Sequence, residues 1–283
     1  NDNFESDKRF IETVAELREY MKVLVRYLHE RLLFRISASP YKSHFLLKGS
    51  SLLFALDGFK ARPTIDIDLL GERISNDREN LKEVFQKVCA IECEDDGVTF
   101  DADSLELEPI AVEKKYPGTC VKVVAHLDTI IQQVSVDIGF GDVITPYPLS
   151  LDYPSLLPDV PSVELYAYSL ETLIAEKFHT MIDRDESNSR MKDFFDVYQL
   201  FTNHEIESEL LAEAIVSTFK NRNTPYRENL ALFTDKFATD ATRNIWWKAF
   251  LKKIRWKEQI DFSVVMKCIK ENLQEYWSKE TLG

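Results

Sequence analysis

The sequence lacks the features that mark membrane, secreted and repeat proteins. Its longest apolar stretches fall far short of the roughly 20 residues that a helix needs to span a bilayer. The first residues, Asn1 to Asp7, are polar and acidic, so we expect no signal peptide. Tandem repeats and low-complexity tracts are absent as well. These absences predict a cytoplasmic globular protein that does not bind membranes.

Cysteine and histidine are scarce, and their spacing argues against a zinc site. The four cysteines (Cys89, Cys93, Cys120 and Cys268) form no CxxC pair. Cys89 and Cys93 could share a helix face, but a zinc site needs two more ligands and none lies within sequence reach. The five histidines are scattered without a ligand pair. We therefore predict reduced, mostly buried thiols, and histidines with surface or core roles.

The chain has enough apolar residues for a well-buried core and an excess of negative charge. Its 283 residues suffice for one large domain or two ordinary ones, and 45% of them are hydrophobic. The formal net charge is −13 at pH 7. Because non-specific nucleic-acid binding depends on neutralising phosphates with cations, this charge argues against indiscriminate binding of nucleic acids.

One segment departs from this acidic composition. The stretch from Ala241 to Lys257 contains six basic residues and no acid: Arg243, Lys248, Lys252, Lys253, Arg255 and Lys257. It also contains Trp246, Trp247 and Trp256, and cations with aromatics can bind RNA by charge and stacking. The plainer interpretation is an amphipathic helix. We expect the tryptophans to pack in the core, and we leave the role of the lysines open.

Hydrophobic periodicity divides the chain into a mixed α/β half and a helical half. A helix is predicted over residues 6–35, with one apolar stripe formed by Phe10, Val14, Leu17, Met21, Leu24 and Leu28. Further elements follow: helices at 51–56 and 76–91; strands at 64–70, 105–112, 121–127, 132–138 and 163–168; and a proline-rich irregular connector with prolines at 146, 148, 154, 158 and 161. From Ser169 onward the pattern is helical. We predict an α+β fold, with domains at 1–165 and 166–283.

A small polar turn and two closely spaced carboxylates are the most informative local features. Asp66 and Asp68 alternate in a strand pattern and so point to one side, where two ionised carboxylates need a compensating cation. Mg²⁺ fits because it prefers oxygen ligands, and Mn²⁺ is the alternative. The preceding Gly49-Ser50 turn offers backbone N–H groups to a phosphate. An exposed strand face and a serine-capped helix start are the structural alternatives.

Lys177 is a second candidate, because it interrupts an apolar helical pattern between Ala175 and Phe178. A cation on a partly apolar face needs an anionic partner. That partner is either a triphosphate or an ion pair with Asp193 or Glu176, and both can hold.

Four blocks, in order, resemble those of the DNA-polymerase-β-like nucleotidyltransferases, and more closely the AbiEii/AbiGii-type nucleotidyltransferase toxins. They are Leu47-Lys48-Gly49-Ser50-Ser51 with Arg62 to Leu69, then Val136-Asp137, then Glu171 to Lys177, and then Ser189 to Tyr198. The resemblance covers residues 45–200. It implies a nucleotidyltransferase-like mixed sheet with flanking helices, followed by a helical half that completes the active site.

The resemblance also implies a role for each matching residue. Asp66, Asp68 and Asp137 would hold metal, and two divalent ions ~3.5–4 Å apart can stabilise the attacking and leaving oxygens together. Lys177 and Asp193 match the third and fourth motif residues, with Lys177 also contacting the nucleotide. The other residues expected at the nucleotide are Lys48, Gly49, Ser50 and Arg62.

The leading functional interpretation is a Mg²⁺-dependent enzyme that acts as the toxin of a bacterial toxin–antitoxin or phage-defence pair. Similar toxins imply transfer of a nucleotide from an NTP to the 3′ end of tRNA, and a cognate antitoxin as a partner. Two alternatives stay open. The acceptor could be a small molecule such as an aminoglycoside or a protein side chain, or the protein could be a nucleotide-binding module without turnover.

Overall fold

The computed structural model describes residues 2–64, 66–110 and 118–282, with side chains for all of these except 2–15, 59 and 282. The chain divides into two compact units. The first contains Asn1–Gly141 and Ser150–Ala167, and the second contains Asp142–Leu149 and Tyr168–Gly283.

The first unit is built on a mixed sheet, which in the described part of the chain has seven strands in the order β3-β4-β5-β2-β1-β7-β6. The strands are β1 Phe45–Leu47, β2 Ile67–Gly71, β3 Val98–Pro109, β4 Thr119–Leu127, β5 Ile130–Phe140, β6 Leu149–Tyr153 and β7 Val163–Ala167. At the centre, β2 runs parallel to β5 and antiparallel to β1. The helices of this unit are α1 Asp2–Ala38, α2 Gly49–Asp57 and α3 Arg78–Cys89.

The core of the first unit follows from the period-two pattern of its strands. In β4, Val121, Val123 and Ala125 are buried, and in β5 Val136 and Ile138 are buried, while the residues between them are partly exposed. Because successive strand residues face opposite sides, this alternation places one apolar face of the sheet in the core. The predicted α+β class with a mixed sheet is therefore confirmed.

Helix α1 carries a cluster of buried charges that fixes it to the sheet and to the segment before β7. The Arg35 guanidinium pairs with Asp96 and donates to the Val98 carbonyl at 2.6 Å. Glu30 pairs with Arg31 and accepts from the Leu156 N–H at 2.9 Å. Each of these four buried charges has an opposite charge in contact, which offsets the cost of leaving water. Removing one partner should cost about 3–5 kcal/mol, because the other charge would stay buried.

The predicted apolar stripe on α1 is wrong in part. Leu24 and Leu28 are buried, but Leu17 and Met21 are 57% and 39% exposed. The helical spacing is correct for all of them, but no described element of the first unit covers this part of α1. The side chains of Phe10 and Val14 lie outside the described residues.

The second unit is helical, as predicted for the C-terminal half. Its helices are α4 Leu170–Arg184, α5 Met191–Asn203, α6 Ser208–Asn221, α7 Asp235–Thr239, α8 Ala241–Ile254, α9 Phe262–Leu273 and α10 Lys279–Leu282. An aromatic core joins α5, α8 and α9, where Trp247 lies 6.2 Å from Phe195 and 5.5 Å from Phe262 between ring centroids. Helix α4 packs against α5 and α6.

The short segment Asp142–Leu149 belongs to the second unit because polar contacts hold it there. The Thr145 N–H donates to Thr172 at 3.0 Å, and Asp142 accepts from Arg222 at 2.7 Å. The Ser169 hydroxyl caps α4 by accepting from the Thr172 N–H and donates to the Thr145 carbonyl at 2.7 Å.

Several predicted boundaries need correction. The strand predicted at 64–70 begins at Ile67, so Asp66 precedes β2. The strand predicted at 105–112 runs from Val98 to Pro109. The prediction missed its first half because a bulge between Asp101 and Glu106 interrupts the alternation. The proline-rich connector contains β6, which was not predicted. Ile65 and Val112 lie outside the described residues.

The predicted state of the cysteines is correct only in part. All four cysteines carry free thiols, but only Cys89 is buried, so the expectation of mostly buried thiols is wrong. Within the described ranges, no helix has both the length and the apolar character needed to cross a membrane.

Candidate active site

The Gly49-Ser50 turn forms the start of α2, shortly after β1, and approaches β2 closely. Gly49 has φ +59°, in the left-handed region that glycine occupies without strain. A Cβ at this position would lie 2.5 Å from Asp68 Oδ2. The turn is held to the strand by the Lys48 N–H, which donates to the Asp68 carbonyl at 3.0 Å. A residue without a side chain is therefore required here by both backbone conformation and space.

The Asp68 carboxylate lies against the N-terminal end of α2. Its Oδ2 accepts from the Ser50 backbone N–H at 2.9 Å and from the Ser50 hydroxyl at 2.8 Å. The Ser50 hydroxyl also lies 2.8 Å from Thr64 Oγ1. Because the first N–H groups of a helix have no intrahelical partner and carry partial positive charge, this end of α2 favours anionic oxygens. The predicted phosphate turn thus holds a carboxylate oxygen of its own chain.

Ser51 fixes the backbone around the two predicted metal-binding aspartates. Its hydroxyl accepts from the Asp68 N–H and donates to the Asp66 carbonyl, each at 3.1 Å. Ser51 is 1% exposed, so these bonds are protected from water. One buried side chain therefore sets the backbone positions of Asp66 and Asp68 relative to α2.

Asp137 enters the same region from the adjacent strand. It is the register partner of Asp68 in the parallel β2–β5 pair and of Cys120 in the antiparallel β4–β5 pair. Register partners point to the same face of a sheet, so the carboxylates of Asp68 and Asp137 share one face. Burial, together with a hydrogen bond to Asp137, raises the pKa of the Cys120 thiol to about 12. The thiol therefore stays protonated at neutral pH and can donate to Asp137.

The donor chemistry of this face suits a hard divalent cation. Asp66, Asp68 and Asp137 supply carboxylate oxygens, which are the ligands that Mg²⁺ and Mn²⁺ take in proteins. Among the described residues, no set of three or more acidic, histidine or cysteine side chains is already gathered as a ligand group. Asp68 has one oxygen bonded to Ser50. All three residues fit the metal by type, and Asp68 and Asp137 also share a face, whereas Asp66 precedes β2. Asp68 is oriented by the helix end.

Lys48 and Arg62, the two cations predicted at the nucleotide, flank this turn in sequence and are both partly exposed. Lys48 directly precedes α2. Arg62 lies two residues before Thr64. Burial is the main cause that lowers the pKa of Arg26 on α1, and the charge of Arg62 lowers it further, so these two guanidinium groups are neighbours.

In the second unit, Lys177 and Asp193 are in direct contact. The Lys177 ammonium donates to Asp193 Oδ1 at 3.1 Å and to Asp196 Oδ2 at 2.7 Å. All three residues are at most 8% exposed. The predicted ion pair with Asp193 is present, whereas Glu176 instead accepts from Arg222 at 3.2 Å. Lys177 is therefore held by two carboxylates from one face of α5.

Arg190 completes this cluster at its solvent side. Its Nε donates to Asp193 Oδ2 at 2.6 Å, and its side chain is 39% exposed. Burial would raise the pKa of Asp193, but the charges of Lys177 and Arg190 outweigh it and lower this pKa to about 2. Asp193 is thus ionised at neutral pH and shared between two cations.

A family model decides the classification of the chain. The model described as "Nucleotidyl transferase AbiEii toxin, Type IV TA system" matches residues 31–267. The chain belongs to the AbiEii family. This is a family of nucleotidyltransferase toxins of type IV toxin–antitoxin systems, and membership implies a nucleotide substrate and an antitoxin partner.

Solved structures give a weaker likeness to this AbiEii protein. JHP933 from Helicobacter pylori is 14% identical with a TM-score of 0.43, covering 83% of this chain and 94% of its own. An antigenic nucleotidyltransferase-like protein from Paracoccidioides brasiliensis is 13% identical with a TM-score of 0.36, covering 87% of this chain and 97% of its own. The comparison with curated proteins gave no match.

In each unit, the structure brings further residues into contact with those predicted from the sequence. Ser51, Thr64 and Cys120 contact or orient the predicted aspartates in the first unit. Arg190 and Asp196 do the same for Lys177 and Asp193 in the second. The i, i+3 spacing of Asp193 and Asp196 was visible in the sequence, but the contact of Cys120 with Asp137 depends on strand register alone.

Proposed function

We propose that this AbiEii protein transfers a nucleotide from an NTP to the 3′ end of a tRNA in a Mg²⁺-dependent reaction. The acceptor hydroxyl attacks the α-phosphate, the bond to pyrophosphate breaks, and pyrophosphate leaves. The reaction takes place in the cytoplasm and stops translation, as part of a toxin–antitoxin or phage-defence system. The tRNA acceptor is what the resemblance to similar toxins implies.

The observation that carries the proposal is the register of Asp68 and Asp137 on parallel strands beside the Gly49-Ser50 turn. Mg²⁺, when bound by Asp66, Asp68 and Asp137, would neutralise negative charge on the triphosphate. The Ser50 N–H and hydroxyl now donate to the Asp68 carboxylate, and they would turn to anionic phosphate oxygens once Asp68 binds the metal. Asp137 would favour loss of the proton from the attacking hydroxyl.

Transfer is tested by incubating the protein with each labelled NTP, Mg²⁺ and total RNA. We expect label on tRNA, and we expect Asp66→Asn and Asp68→Asn to abolish it, because each removes a ligand charge at constant size. Asp103→Asn is the matched control, since Asp103 is an exposed acid on β3. Wild-type turnover in Asp68→Asn would refute the site, and label on a small molecule or a protein would identify a different acceptor.

Toxicity is tested by inducing the protein in a bacterium. Growth should stop with the wild-type chain and continue with Asp68→Ala. Equal arrest by both proteins would mean that the growth effect does not come from nucleotidyl transfer.

A further inference from the structure

One face of α8 combines exposed apolar side chains with exposed lysines. Ile245 is 66% exposed and Trp246 is 41% exposed. At 3.6 residues per turn, they share a side of the helix with an exposed alanine and three exposed lysines. This outer face of α8 consists of Ile245, Trp246, Lys248, Ala249, Lys252 and Lys253.

Other aromatic and basic residues of the segment pack inward, from the opposite face of α8 and from the residues that follow it. Trp247 is 1% exposed, and its indole N–H donates to the Ile260 carbonyl at 2.7 Å. Trp256 packs edge-on against Phe195 with ring centroids 4.9 Å apart. The Arg243 guanidinium lies 4.0 Å from the centre of the Phe237 ring. These residues contact aromatic side chains of the core, although Trp256 is only partly buried. Of the three tryptophans expected in the core, Trp246 is exposed.

The outer face is chemically unusual for this chain. The chain has a net charge of −13, yet no acid lies between Ala241 and Lys257. The neighbouring acids, Asp240 and Glu258, lie beyond the two ends of the stretch, and Asp240 is occupied in capping α8 through the Arg243 N–H at 2.8 Å. An exposed indole beside lysines matches a polyanion that also presents flat apolar rings. Single-stranded RNA has both properties, because its bases stack and its phosphates pair with cations.

We propose that the outer face of α8 binds a single-stranded segment of the RNA acceptor. Trp246 stacks on a base, and Lys252 and Lys253 contact phosphates. This inference rests on the proposed function in one respect, namely that the acceptor is RNA.

The test measures binding of a fluorescently labelled single-stranded RNA by anisotropy, without NTP, over a range of salt concentrations. Trp246→Ala should weaken binding about 5- to 150-fold, as loss of one stacked base predicts, and Trp246→Phe should retain most of the affinity. The double variant Lys252→Glu/Lys253→Glu should weaken binding and reduce the salt slope by about 1.4, which corresponds to two phosphates.

The matched control is Lys267→Glu/Lys270→Glu, which makes the same charge change at exposed positions of α9 in the same unit. It should bind RNA nearly as well as wild type. All substituted side chains are exposed, but Lys252, Lys253 and Lys270 lie in last helical turns and Lys267 pairs with Glu271. We therefore expect similar, small decreases of the urea unfolding midpoint in both double variants, followed by circular dichroism.

The outcomes separate this inference from the proposed function. Wild-type RNA affinity in both outer-face variants, or no RNA binding by the wild-type protein, overturns the inference. A change in sedimentation with unchanged RNA affinity also overturns it, because the face would then join two copies of the chain. RNA binding that responds as described, without transfer from any NTP, supports the inference and overturns the proposed function instead.

Discussion

Replacing Gly49 with alanine should damage both the stability and the activity of the protein. Gly49 has φ +59°, and a left-handed conformation costs a non-glycine residue about 1–2 kcal/mol. The new Cβ would lie 2.5 Å from Asp68 Oδ2 and 2.8 Å from Asp68 Cβ. Overpacking of this kind typically costs about 1–3 kcal/mol. The two terms together predict a loss of about 2–5 kcal/mol.

The steric clash also determines the effect on activity. Contact with Asp68 Cβ cannot be relieved by rotating the carboxylate alone, so the Asp68 side chain and the turn must separate. That movement lengthens the bonds from the Ser50 N–H and hydroxyl to Asp68 Oδ2. Nucleotidyl transfer should therefore fall strongly even at temperatures where the variant stays folded.

Gly97→Ala is the control that isolates the clash. Gly97 has φ +65°, but a Cβ there would meet only Leu127 Cδ1 at an ordinary distance of 3.5 Å. This variant should lose only the conformational term, about 1–2 kcal/mol, and should keep its activity. Urea unfolding followed by circular dichroism gives the midpoints of both variants, and labelled NTP gives their rates. Equal urea midpoints for the two variants, together with wild-type activity in Gly49→Ala, would contradict the predicted clash with Asp68.

Two further predictions concern the buried cluster of the second unit. Lys177→Ala should lower the free energy of unfolding in urea by about 3–5 kcal/mol, because Asp193 and Asp196 would lose their shared cation. The variant should also bind NTP more weakly. A loss of stability with unchanged nucleotide affinity would assign Lys177 a structural role only. The pKa of Asp193 falls from 3.8 to about 2 on folding, chiefly through Lys177 and Arg190 acting against burial. This carboxylate therefore stabilises the fold above pH 3.8, by about 2 kcal/mol, and that stabilisation disappears as the pH falls through about 2. Urea midpoints from pH 5 to 2 should decline less steeply in Asp193→Asn than in wild type, and parallel declines would contradict the assignment.

The sequence alone determined the features that depend on local spacing. The alternation of apolar and polar residues in β4 and β5 could be recognised in the sequence, because one face of the sheet is buried and successive side chains point to opposite faces. The Gly49-Ser50 turn and the pair Asp66 and Asp68 could be proposed from the sequence because their chemistry requires neighbouring positions, and their role in catalysis stays a prediction. The α+β class and the family followed from these patterns and the order of the motif blocks.

The tertiary structure decided which distant residues meet and which similar neighbours differ. Strand register alone pairs Asp68 with Asp137 and places Cys120 beside it. Helical periodicity marked Leu17 and Leu28 alike, yet only Leu28 is buried.

The adjacent Trp246 and Trp247 differ for the same reason, since only Trp247 faces the aromatic core of the second unit. Periodicity assigns a residue to a face of its helix or strand. Burial, ion pairing and hydrogen bonding depend on what packs against that face, and those contacts come from segments far away in the chain.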